Sequence, residues 1–237
     1  MTAVQEQSVV RDYPRRPARI RVRKAEPGEF ANALTHGIGL LLSVAGAVVL
    51  LDRAVLIGDT WRVVGCAIFV ATLMSVYAAS TLSHGLTHPN AKRWFRILDQ
   101  GFIFLLIVGT YTPFALTCLR TGGWLLFLGL LWTLAFAGFV SKVVFAHRID
   151  SVSVWACLVL GWLPSFSIPT LLHMLPFATF WWMLAGGLSY SFGTLFLVSD
   201  QRHPYFHAIW HLFVISGSVC HFLAIMFFLT PLTTGAV

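Results

Sequence analysis

Seven stretches of this chain are too long and too apolar to belong inside a soluble domain: residues 33–51, 61–84, 95–117, 122–143, 152–168, 177–198 and 207–229. A helix of about 20 apolar residues crosses the roughly 30 Å of bilayer hydrocarbon, and it pairs every peptide group internally where no water can do so. The expected fold is therefore an all-α integral membrane protein, a bundle of seven transmembrane helices. Prolines and glycines mark the joints: Pro89, Gly122, Gly123, Pro169, Pro176, Pro204 and Pro231 stand at or near the ends of the runs. The fifth run, bounded by Asp150 and Pro169, is the shortest.

Composition agrees. The 237 residues are 57% hydrophobic and 11% charged, with a mean hydropathy of +0.79, whereas soluble domains carry about one quarter charged residues. A net charge of +7 would suggest nucleic acid were the 16 Lys and Arg spread over a fold, but seven of them lie between Arg11 and Lys24. That segment also holds Pro14 and Pro17 and shows no apolar periodicity, so residues 1–28 read as a basic disordered tail lying on a membrane surface. Each basic residue there is worth on the order of 1 kcal/mol against an anionic leaflet. No nucleic-acid partner is expected, and residues 29–237 form the membrane domain. A long polar stretch precedes the first apolar run, which is expected to remain as an anchor rather than be cleaved as a signal peptide.

With seven crossings the Lys and Arg fall into two sets. Thirteen lie on the side of the amino terminus and only Arg53, Arg62 and Arg120 on the other, which puts the amino terminus in the cytoplasm and the carboxyl terminus outside. Cys66, Cys118, Cys157 and Cys220 all fall in apolar runs, without a metal-finger spacing, and read as small core residues.

Polar residues within spans are costly and call for a partner or a purpose. Glu29, Asn32 and His36 open the first span on one helical face; Ser80 and His84 close the second at i and i+4; Asp99 opens the third; His207 and His211 open the seventh at i and i+4. The predicted topology places all four groups in the same half of the membrane. Two histidines one turn apart, joined by His84 from a neighbouring helix, would supply the three protein ligands common in catalytic zinc sites. Asp99 could ligate directly or hold a water, and Ser80 could orient either. A proton or ion pathway and a purely structural polar network are the competing readings of the same residues. Glu29, Asn32 and His36 read as lining for the same cavity. His221 stands about 15 Å along its helix from His211, too far for the same ion, and is expected to hydrogen-bond within the bundle. The run Gly109, Thr110, Tyr111, Thr112, Pro113 is expected to mark a kink or close helix packing, with Tyr111 packed rather than facing the cavity.

These residues carry a resemblance. Glu29-x2-Asn32-x3-His36, Ser80-x3-His84, Asp99 leading into the Gly109 to Phe114 run, and His207-x3-His211 together resemble the hemolysin III branch of the progestin and adiponectin receptor superfamily, over nearly all of the chain after the tail. The resemblance implies a seven-helix bundle with a cytoplasmic amino terminus, set in a bacterial cell membrane. It also implies a Zn2+ ion held near the inner face by His84, His207 and His211, with Asp99 contacting it through water and Ser80 alongside. Relatives of this kind imply ceramidase-like hydrolysis of lipid amides, and the hemolysin name implies cytolysis. The expected function is a zinc-dependent hydrolase of membrane lipids that takes an acyl-chain substrate, with Asp99 and Ser80 catalytic. The alternative is a non-enzymatic pore former, or a regulator of membrane lipid homeostasis in which zinc is structural.

Overall fold

The computed structural model describes residues 27–145 and 153–229; the basic tail and the joint around Asp150 lie outside the described residues. Seven helices run through them, with no strand: α1 Pro27–Ile57, α2 Thr60–Gly85, α3 Pro89–Cys118, α4 Trp124–Val144, α5 Val154–Leu172, α6 Phe177–Leu197 and α7 Phe206–Leu229. Six are long and apolar enough to cross a membrane. The exception is α6, where Trp181, Trp182, Gly186, Gly187, Ser189, Tyr190 and Ser191 dilute the apolar character without introducing a charge. Large apolar side chains such as Leu41, Leu126, Trp155 and Phe166 are exposed, an arrangement stable against lipid and unfavourable against water.

Local chemistry sets the helix ends. The Asp59 carboxylate caps α2 by accepting from the Trp61 N–H at 3.1 Å, after Gly58 has turned the chain at a φ of +77°. His88 caps α3, where Pro89 fills the first helical position. Ser153 caps α5, and Gly122, at a φ of +61°, makes the turn before α4.

Four of the expected boundaries are corrected. Helix α1 begins at Pro27 and runs to Ile57, and α3 begins at Pro89 rather than Phe95. Both starts carry charges that hydropathy rejects, yet these charges pair with each other across the helices. The fifth span does not stop before Pro169. A 3-10 turn over Leu163–Ser167, containing Pro164, carries the chain onward to Leu172.

Helices α2 and α3 form the most extensively packed pair, because small residues let their backbones approach. A side chain on Gly65 would meet the backbone of Pro113 at 2.7 Å, and one on Gly109 would collide with Thr72. The Gly109–Pro113 run is thus a site of close packing, and the helix continues through Pro113. Gly65→Leu is expected to destabilise the bundle by about 1–3 kcal/mol by overpacking, read as a lowered thermal midpoint in detergent. Helix α1 packs on α2 and α7, α6 on α7, and α4 on α3, while α5 touches α3, α4 and α6 only lightly. That loose seam borders a cavity of about 2130 Å³.

Candidate metal centre

The start of α1, the end of α2, and the starts of α3 and α7 meet at one end of the bundle, as the expected topology requires. His84, His207 and His211 come together there, each offering a ring nitrogen within 4.8 Å of the others. Their ring centroids are 4.7 to 5.3 Å apart.

Nδ1 of each ring is already engaged. His84 Nδ1 donates to Glu29 Oε2 at 3.0 Å and His207 Nδ1 to Asp200 Oδ2 at 3.3 Å. His211 Nδ1 donates to the Asn32 carbonyl at 3.2 Å, with Thr35 Oγ1 at 3.1 Å. Ionised carboxylates and carbonyls only accept, so the proton of each neutral imidazole sits on Nδ1 and the Nε2 lone pair is left available. His211 Nε2 is buried with no hydrogen-bonding partner among the described residues. This is the donor set a divalent transition ion requires: neutral imidazoles on one side, with carboxylate or carbonyl orienters behind them. The residues fit a metal.

Glu29 is itself held in place. Lys92 donates to its Oε2 at 2.8 Å and Arg96 Nη2 stands 3.8 Å from Oε1, so its charge stays compensated beside His84. Glu29→Gln is expected to weaken metal affinity about tenfold to hundredfold, measured by competition with a chromogenic chelator.

Ser80 is fully buried, its hydroxyl directed to the Asp99 carboxyl. Asp99 is half-buried and lines the cavity together with His84, His207 and His211. His36 lies parallel to the His211 ring at a centroid distance of 3.5 Å and meets Tyr77 edge-on, so it sets the tilt of His211. Tyr111 lines the cavity while being almost fully buried, which corrects the expectation that it packs away from it. The expected hydrogen bond of His221 within the bundle is replaced, among the described residues, by stacking on Tyr190 at 5.5 Å, with Nδ1 unpartnered there. The four cysteines are all unpaired.

Asp200 was invisible to sequence reasoning. It lies in the 3-10 turn Asp200–Arg202 that leads into α7, and its one signal is a carboxylate seven residues before His207. Glu29 was legible as cavity lining but not as the acceptor for His84. The acceptor for His211 is a backbone carbonyl, which no side-chain motif encodes.

The haemolysin-III related family pattern matches residues 25–222. The chain is 40% identical over 204 residues to Hemolysin-3 of Bacillus cereus, covering 86% of this chain and 92% of that protein. It is 40% identical over 200 residues to the Hemolysin-3 homolog of Bacillus subtilis (strain 168), covering 84% and 93%. The human Monocyte to macrophage differentiation factor is 26% identical over 218 residues, covering 89% and 88%. A match that takes in every helix position contributing to the histidine cluster, with relatives aligned over almost their whole length, shows that this membrane protein belongs to the haemolysin III family.

Proposed function

We propose that the protein is a zinc-dependent hydrolase of the cell membrane that cleaves lipid amides. In this reading its amino terminus lies in the cytoplasm, its carboxyl terminus outside, and the residues before α1 form a separate basic tail, two residues shorter than expected because Pro27 and Gly28 belong to the helix. The supporting observation is the convergence of three imidazoles whose Nδ1 groups are all occupied by acceptors. Zinc held by His84, His207 and His211 would act as a Lewis acid and make water nucleophilic near neutral pH. Asp99, which lines the same cavity as the triad, takes the proton from the attacking water and returns it to the leaving nitrogen as the C–N bond breaks. The Ser80 hydroxyl, fully buried beside the Asp99 carboxyl and not on the cavity wall, holds that carboxyl in position. The apolar wall formed by Ile107, Leu158, Met183, Leu184 and Val214 accepts the acyl chain, and the loose seam beside α5 lets that chain arrive from lipid.

The names of the bacterial relatives support a second reading, membrane permeabilisation with zinc in a structural role. Elemental analysis of protein purified without chelators tests the metal: one zinc per chain is expected, and its absence refutes the hydrolase. Product release from a short-chain ceramide in liposomes, set against dye leakage from the same liposomes, separates the two activities.

A further inference from the structure

The cavity has a second polar end that the metal chemistry does not use. His221 lies ten residues beyond His211 on α7, about 15 Å along the helix axis, and both side chains line the same cavity. The His221 ring is nine-tenths buried and its Nδ1 has no hydrogen-bonding partner among the described residues. Leaving such a group unpaired costs as much as losing a hydrogen bond, so the position calls for a polar partner.

The surroundings of His221 hold its ring in a fixed plane. Tyr190 stacks on it with an interplanar angle of 20°. The Tyr190 hydroxyl is tied at 3.0 Å to Ser218 Oγ, which also accepts from the Tyr77 hydroxyl at 2.9 Å and donates to the Val214 carbonyl. Gly186 leaves the room the ring needs, since a side chain there would come within 2.7 Å of it. Leu184, Met183 and Val214 are among the apolar residues of the cavity wall, alongside the polar side chains of Thr110, Tyr111, Lys142 and Ser191. Along α7 itself the cavity wall is polar at His207 and His211, apolar at Val214, and polar again at His221, about 15 Å beyond His211.

We infer that His221, backed by Tyr190, is a binding subsite for a hydroxyl or carbonyl carried part-way along an acyl chain whose polar end lies at the histidine triad. The ligand class is an oxygenated long-chain amphiphile, favoured over a plain saturated chain by one hydrogen bond. The inference rests on the proposed placement of the ligand's polar end at the triad, but not on hydrolysis.

The test uses the full-length protein in detergent and three fatty acids of equal length: stearate, a hydroxystearate with its hydroxyl about 15 Å from the carboxylate, and a hydroxystearate with its hydroxyl next to the carboxylate. Affinities come from competition with a fluorescent fatty acid. The mid-chain hydroxystearate is expected to bind wild type about fivefold more tightly than either of the others. His221→Phe, which keeps the stack on Tyr190, should abolish that preference while leaving stearate affinity unchanged, and His221→Gln should retain part of it. In His211→Ala all three acids should weaken together with the preference kept, so loss of the metal reading and loss of the subsite give different results. Equal binding of the three acids to wild type overturns the inference without recourse to any variant.

Discussion

Stripping the metal from the purified protein with a chelator should lower its thermal midpoint by on the order of 10 °C, and added zinc should restore it. The expectation follows from where the ligands sit. His84 ends α2 and His207 and His211 begin α7, and these helices touch each other far less than each touches α1. Among the described side chains their direct polar link is the hydrogen bond from Tyr77 to Ser218. An ion gripped by all three imidazoles would clip together segments more than a hundred residues apart in sequence. A ligand present at a thousand times its dissociation constant stabilises the folded state by about 4 kcal/mol. A His84/His207/His211 triple alanine variant should already melt at the lower temperature and be insensitive to both chelator and zinc. A chelator shift of the same size in that variant would show that the stabilising ion sits elsewhere.

How much of this arrangement could be read in advance depended on what kind of signal each part leaves. The HxxxH of α7 and the SxxxH of α2 are polar residues at helical spacing inside apolar runs, a pattern conspicuous because lipid penalises it. Alternation of the chain across the membrane brought them to one end, and the structure places them together there. The remaining parts leave weaker traces. Glu29, Lys92 and Arg96 compensate one another between helices, whereas singly Lys92 and Arg96 read as loop charges and Glu29 as cavity lining without a partner. That is why α1 and α3 extend beyond the apolar runs. Asp200 sits in an irregular connection with no periodicity to expose it, and the Asn32 carbonyl depends only on where the α1 backbone passes. The cavity arises from a poorly packed seam between α5 and its neighbours, a property of helix arrangement that composition does not record. The 3-10 turn that extends α5 was likewise hidden, because Pro169 read as a stop rather than as part of a bend facing a cavity.

Asp99→Asn should reduce lipid-amide turnover by about 10²- to 10⁴-fold, the usual contribution of a positioned general base, while the zinc content and the thermal midpoint stay at wild-type values. The substitution keeps the size of the side chain and removes its capacity to accept a proton. None of the hydrogen bonds that orient the three imidazoles involves Asp99: His84 relies on Glu29, His207 on Asp200 and His211 on Asn32 and Thr35. The metal site should therefore survive where catalysis does not, in contrast with His207→Ala, which should lose both. If zinc were purely structural, Asp99→Asn would behave like wild type in every assay, and dye leakage from liposomes would continue undiminished. A variant that retained full turnover would remove Asp99 from the chemistry, and one that lost its zinc would make Asp99 part of the metal's own support.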